Sequence, residues 1–235
     1  MKPEELSKEK LVEFVYDMFH RMSVHETLWY REVEHQLGRE KALKAMDYAW
    51  SKTKGISLKR LADFMPLDIE NMNEEQLLSL ADSIAKNWLA QDGVWFQAVE
   101  FTDGMNDAKR CNDSTWGRFS PVEAHSIKNL LGLDEHPGLE GLQSALNFRM
   151  YGRLNEQESY FDENGALIFN MNKCRVQTAR IRKGLDDYPC KSAGLVEYKT
   201  FAEGIDSNIQ TECICCPPDA HPDTCFCAWK FTLKK

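Results

Sequence analysis

Apolar residues recur at helical spacing from the start of the chain. Over residues 5–37, Leu11, Phe14, Val15, Met18 and Phe19 fall on one stripe that Leu28 and Val33 continue, which predicts a long helix with Ser7 near its N-cap. Gly38 interrupts the pattern, and Ala42, Leu43, Met46, Ala49 and Trp50 resume it over 39–52. Gly55 predicts a second stop, with a short helix over 57–64 that ends before Pro66. Asn73 and Gln76 open another long helix carrying Leu77, Leu80, Ile84, Trp88 and Trp95. Short helices are expected over 122–131, after Pro121, and over 139–149.

The period changes near residue 150. LNEQESYF and ALIFNMNK flank Asp162-Glu163-Asn164-Gly165 and read as a hairpin. Residues 174–184 and 192–204 read as helices, Asn208 to Cys216 as a strand ended by Pro217-Pro218, and Phe226 to Leu233 as the last strand. The expected fold class is α+β, with a helical region over 1–149 and a small antiparallel sheet with helices on one side over 150–235.

The helical region repeats itself. LWYREVEHQLGREKALKAMDYAW from Leu28 aligns without a gap on VWFQAVEFTDGMNDAKRCNDSTW from Val94, 66 positions later. Trp29 meets Trp95, Val33 meets Val99, Gly38 meets Gly104, Ala42 meets Ala108 and Trp50 meets Trp116. This predicts a duplicated helical hairpin packed with pseudo-twofold symmetry, each copy turning at its glycine. The repeated acids Glu34, Asp47, Glu100 and Asp113 invite a carboxylate metal site. However, Glu32-x-x-His35 has Ala98-x-x-Phe101 as its counterpart. Asp47 and Trp29 lie equally far from Gly38, so an indole N–H bond to Asp47 is the expected use of that acid.

Composition narrows the function classes. A net charge of −8 over 235 residues argues against general nucleic-acid binding. The basic run Arg175 to Lys183 is expected to be a solvated helix face. No apolar run reaches the roughly 20 residues of a membrane span. The charged start, MKPEELSKEKLVEF, lacks the apolar core of a signal peptide, so a cytoplasmic location is expected. In that reducing setting, clustered cysteines point to metal ligation rather than disulfides.

Five of the eight cysteines lie in the tail TECICCPPDAHPDTCFCAW: Cys213, Cys215, Cys216, Cys225 and Cys227. Two ligand sets compete. If Cys213 faces Cys227 and Cys215 faces Cys225 across a hairpin, all four share one face and form a compact ribbon. Alternatively, Cys213-x-x-Cys216 has knuckle spacing for zinc, with Cys227 from the neighbouring strand and Cys190 from the loop between the two helices. Cys215 and Cys225 are then spare, pointing into the core or forming a redox pair. Cys111 and Cys174 are expected to be ordinary part-buried thiols. His221 is a loop residue near enough to substitute as a ligand.

The order strand-strand-helix-helix-strand-strand, with one cysteine between the helices and two more around the last strand connection, resembles the vinyl-reductase-type small-molecule-binding domain. That family includes the sensor domains of phenol-responsive bacterial regulators. Their zinc ligands are a cysteine between the helices, Glu-x-x-Cys at the end of the next strand, and a cysteine on the last strand. The resemblance implies Cys190, Cys213, Cys216 and Cys227 as ligands here, with Cys213 in place of the glutamate. That change implies a more closed, more structural site. The tail is also similar to the aminothiazoline-carboxylate hydrolase family, which places cysteines near Cys174, Cys190 and Cys227. The whole chain, with its Trp-x4-Glu repeats and CRVQ…YPC…CxxCPPDxHP…CAW tail, resembles a family of uncharacterised cytosolic proteins of anaerobic prokaryotes.

The expected function is a zinc-binding protein whose metal is mainly structural, an iron–sulfur cluster being the alternative occupant. Its α+β domain would take a small apolar or aromatic molecule in a pocket between helices and sheet. The helical half would cover that pocket or mediate a homodimer. The alternative is a hydrolase of a C–N or C–S bond, acting through a Cys174 thiolate or a metal-bound water. A third class, a redox or scaffold protein, would use the surplus thiols. No Ser-His-Asp set, phosphate loop or dinucleotide fingerprint points to another enzyme class, and no catalytic residue is assigned.

Overall fold

The computed structural model describes residues 1–182, 184 and 187–234. Lys183, the end of the basic run, lies outside them. The chain divides into two compact units, Lys2–Phe119 and Ser120–Lys235 together with Met1.

The first unit is helical. Helix α1 spans Lys8–Leu37, and Ser7 accepts the Lys10 N–H at 3.4 Å as its N-cap. Its stripe of Leu11, Phe14, Val15 and Met18 is fully buried. Helix α2 spans Arg39–Leu61 and α3 spans Glu74–Asp103. Asn73 and Gln76 close a reciprocal capping box at the start of α3, each bond 2.9 Å. Helix α4 spans Met105–Leu131 and runs past the border between the units.

Two expected breaks are absent. Helix α2 does not stop at Gly55. An internal glycine costs only about 1 kcal/mol relative to alanine. Arg60 bonds the Lys86 carbonyl at 2.8 Å and Asn87 at 3.0 Å, which ties the far end of α2 to α3. Likewise α4 continues through Pro121, because Phe119, Ala124 and Ile127 on either side are fully buried.

The duplication is visible in the backbone. Gly38 has φ 91 and ψ 160, and Gly104 has φ 92 and ψ 167. Each glycine N–H bonds the carbonyl four residues back, Glu34 and Glu100, at 3.0 Å. This region of φ/ψ space is nearly closed to residues with a Cβ, which is why both turns carry glycine. One buried cluster holds Trp29 with Trp95, Val33 with Val99, Ala42 with Ala108 and Ala45 with Cys111, each pair 66 positions apart. The Trp29 and Trp95 rings stack with centroids 6.3 Å apart.

The Trp29 indole does not bond Asp47. It donates to Asp92 Oδ1 at 2.9 Å, and Asp47 is exposed. A hairpin sets Trp29 and Asp47 level but does not fix which way each helix face turns, and here Trp29 faces α3. Glu26, 66 positions before Asp92, lies against Trp95 in the same way. The last matched tryptophans diverge. Trp116 packs against His25, Trp88 and Phe119, whereas Trp50 is 59 % exposed. Trp88 donates to buried His25 Nδ1 at 2.8 Å, and burial holds His25 down to about 3.

The second unit is α+β. Helix α5 spans Gly138–Leu146. Strands β1 (Glu156–Phe161), β2 (Leu167–Lys173), β3 (Ile209–Cys215) and β4 (Cys227–Leu233) form an antiparallel sheet in the order β1-β2-β4-β3. Helices α6 (Arg175–Arg182) and α7 (Lys191–Ile205) lie between β2 and β3 in sequence. Asp162 Oδ1 accepts the Asn164 and Ala166 N–H groups, both at 2.9 Å, and shapes the β1–β2 turn. The Leu167, Phe169 and Met171 row of β2 and the Cys227, Trp229 and Phe231 row of β4 are in register and buried. Tyr198 of α7 stacks on Trp229 at 4.6 Å and meets Phe169 at 5.5 Å.

This unit begins at Ser120, not at residue 150. Arg149, 3 % exposed, pairs with Glu123 of α4 at 2.9 Å and with Glu197 of α7 at 2.7 Å. Its guanidinium sits 4.5 Å over the Phe201 ring. A buried arginine needs such partners, so the C-terminal part of α4 belongs with the sheet unit.

Candidate metal centre

The sulfurs gather where α7 begins and where β3 and β4 approach their shared connection. Cys190 occupies the N-cap position of α7, Cys216 directly follows β3, and Cys227 opens β4. The Cys190 and Cys216 sulfurs are 3.5 Å apart. Cys216 also hydrogen-bonds Cys227. The approach needs a glycine. A Cβ on Gly194, one turn into α7, would lie 2.7 Å from the Trp229 ring and 3.7 Å from the Cys216 sulfur.

Hydrogen bonding within the cluster separates the two thiols. The bond from Cys216 holds Cys190 below the usual thiol range, and bonding to Cys190 pushes Cys216 well above it. Cys213 shares the inward face with Trp229, its partner across the β3–β4 ladder, and stays half-buried. Burial pushes its thiol up to about 11, and the Lys191 ammonium opposes that rise. The structure therefore brings the Cys190 and Cys216 sulfurs to 3.5 Å, with Cys227 bonded to Cys216, and sets Cys213 opposite Trp229 on the same sheet face. Among the described residues, no group of three or more His, Cys, Asp or Glu side chains is placed so that it could hold a metal ion.

The compact ribbon is not formed. The β3–β4 ladder runs two positions off the register that would set Cys213 opposite Cys227, so Cys213 pairs with Trp229, and a register shift between Cys213 and Cys215 then sets Cys215 opposite Ala228. A bulge of this kind turns the following side chain to the other face. Cys215 consequently clusters with Cys225 and Ala228, away from Cys227. The sequence carries no mark of this bulge.

Several groups hold the Cys190 segment. Gln177 of α6 is buried; its Oε1 accepts the Tyr188 N–H at 2.8 Å, and its Nε2 donates to the Tyr188 carbonyl at 2.8 Å and to Cys190 Sγ at 3.6 Å. Lys191 donates its N–H to the Pro217 carbonyl at 2.9 Å and its ammonium to Asp219. His221 is not turned to the sulfurs. Its Nε2 is 3.1 Å from Asp187 and its Nδ1 3.1 Å from the Pro222 carbonyl. Cys174 lies just before α6, close to Cys190 and Cys227, and burial pushes its thiol up to about 12. Cys111 is buried in the helical unit, and desolvation raises it to about 11. Reading the sequence missed Gln177 as a neighbour of the site.

The four repeated acids do not converge. Asp47 is exposed, and Glu34 is 42 % exposed beside Arg39.

Residues 4–74 and 70–233 match a family of unknown function, DUF6125. The chain belongs to that family. No match to the vinyl-reductase-type domain or to the aminothiazoline-carboxylate hydrolases supports those resemblances. No match was found among curated proteins or among solved structures. No helix among the described residues is long and apolar enough to cross a membrane.

Proposed function

We propose that this member of the family is a zinc protein in which Cys190, Cys216, Cys227 and Cys213 close around one ion and staple the C-terminal sheet to the start of α7. The observation that carries the reading is the 3.5 Å separation of the Cys190 and Cys216 sulfurs, with Cys227 bonded to the same thiol. Two sulfurs on a tetrahedral zinc with bonds of about 2.3 Å stand about 3.8 Å apart, so a small shift seats the ion. The ion would supply cross-linking energy to elements far apart in sequence, and four thiolates would leave it no open position for substrate.

A small apolar or aromatic molecule is the ligand class proposed for the same unit, on the strength of its strand and helix order. Tyr198 and Trp229 already stack between α7 and the sheet, so such a ligand would enter by parting them. Hydrolysis by a Cys174 thiolate is the weaker reading, because burial keeps that thiol protonated at neutral pH.

Elemental analysis tests the proposal. One zinc per chain is expected in the wild type and loss of zinc in Cys216→Ser, with X-ray absorption counting four sulfurs. Purified protein with no bound metal and unchanged stability after chelation would overturn it. Iron with acid-labile sulfide would replace it with the cluster alternative.

A further inference from the structure

Two of the four cysteines that the zinc site does not use, Cys215 and Cys225, form a pair of their own. Cys215 ends β3, and Cys225 lies two residues before β4. The bulge after Cys213 sets Cys215 opposite Ala228, on the sheet face opposite to Trp229. There Cys215, Cys225 and Ala228 form a small buried cluster, and the two thiols hydrogen-bond each other. Each is buried, with 8 % of its surface exposed. Both are free thiols. Their positions bracket the connection that carries Cys216, Pro217 and Pro218, whose Pro217 carbonyl accepts the Lys191 N–H at 2.9 Å.

We infer that Cys215 and Cys225 are a dithiol that closes reversibly to a disulfide in exchange with a small-molecule disulfide, on the sheet face away from the zinc sulfurs. One protein thiol loses its proton and attacks a sulfur of the external disulfide, whose other half leaves as a thiolate. The second protein thiol then attacks the mixed disulfide and releases the other half. The protein loses two protons and two electrons, and one external disulfide takes them up to become two thiols. The product ties the end of β3 to the start of β4 around the Cys216 connection. Backbone pairing already holds both anchors: Cys215 pairs with Ala228 across the β3–β4 ladder, and at the other end the Cys225 N–H bonds the Pro222 carbonyl at 3.2 Å and the Phe226 N–H bonds the Met171 carbonyl at 2.9 Å. The sulfurs are therefore presented to each other without a large chain rearrangement.

The test equilibrates the full chain, as purified, with glutathione disulfide at mildly alkaline pH, then quenches with acid, alkylates and maps the peptides by mass spectrometry. The expected result is a loss of about 2 Da and of two of the eight thiols, mapped to Cys215–Cys225. Cys215→Ser and Cys225→Ser should each abolish that product. The wild-type map stands alone should a variant fold poorly. The inference is overturned if the first disulfide joins another pair, if glutathione stays attached to one of these cysteines without ring closure, or if no thiol is lost at any disulfide concentration. Zinc is measured in parallel on the same samples. Closure in zinc-free protein would leave this inference standing while removing the zinc reading, so the two fail separately.

Discussion

Gln177 shows how one side chain can arrange a site without entering it. Its amide pairs with both backbone groups of Tyr188, as a neighbouring strand would, and its remaining N–H points at the Cys190 sulfur. Outer-shell partners of this kind are worth about 10–100-fold in metal affinity. Gln177→Ala is expected to weaken zinc binding by about that factor in competition with a chromophoric chelator, and Gln177→Glu to weaken it further by setting a negative charge beside a thiolate. An unchanged affinity in both variants would show that Cys190 needs no outer support. His221 has a different duty. Asp187 beside it raises its pKa above the ordinary value near 6.5. A raised folded-state value means that the His221–Asp187 pair stabilises fully below that ordinary value and fades as pH rises through the folded one. The stability difference between wild type and His221→Gln should therefore be largest near pH 6 and shrink by pH 8.5, as read from urea midpoints. A difference that grows with pH would contradict the pair.

Among elements, the two turns at Gly38 and Gly104 carry the sharpest expectation. Both hold conformations that cost a residue with a Cβ about 1–3 kcal/mol. Nothing lies within 4 Å of a Cβ built at either position, so backbone strain rather than a clash is the effect. Gly38→Ala and Gly104→Ala should each destabilise by that amount in urea unfolding, with near-equal effects because the repeat places both glycines alike. A neutral substitution at one of them would show that its turn can relax. Strand β3 illustrates the opposite case. Its extent is readable within a residue or two from the Asn208-to-Cys216 pattern, but its pairing is not, because the ladder with β4 is set two positions away from the cysteine-on-cysteine register and a bulge then turns Cys215 to the other face.

At the scale of the whole chain, the two compact units predict that metal loss acts unevenly. Chelation at neutral pH should raise amide hydrogen exchange around 188–194 and 209–233. The core of α1 and α3, built on the Trp29–Trp95 stack, should keep its protection. Uniform loss across both units would indicate that zinc controls a single cooperative fold.

The sequence by itself determined where most helices and strands lie, the duplication about Gly38 and Gly104, and the α+β class, because these rest on periodicity and on residues whose backbone preferences are local. It also offered Cys190, Cys213, Cys216 and Cys227 as one of two competing sulfur sets, a choice that only the family resemblance favoured. The tertiary structure alone decided that Trp29 meets Asp92 rather than Asp47, that α2 and α4 run through Gly55 and Pro121, that the sheet unit starts at Ser120, and that Cys215 turns away from the other sulfurs. Each of these depends on how faces rotate and pair across long separations. Packing and partner hydrogen bonds settle such choices, and local propensity is too weak to encode them.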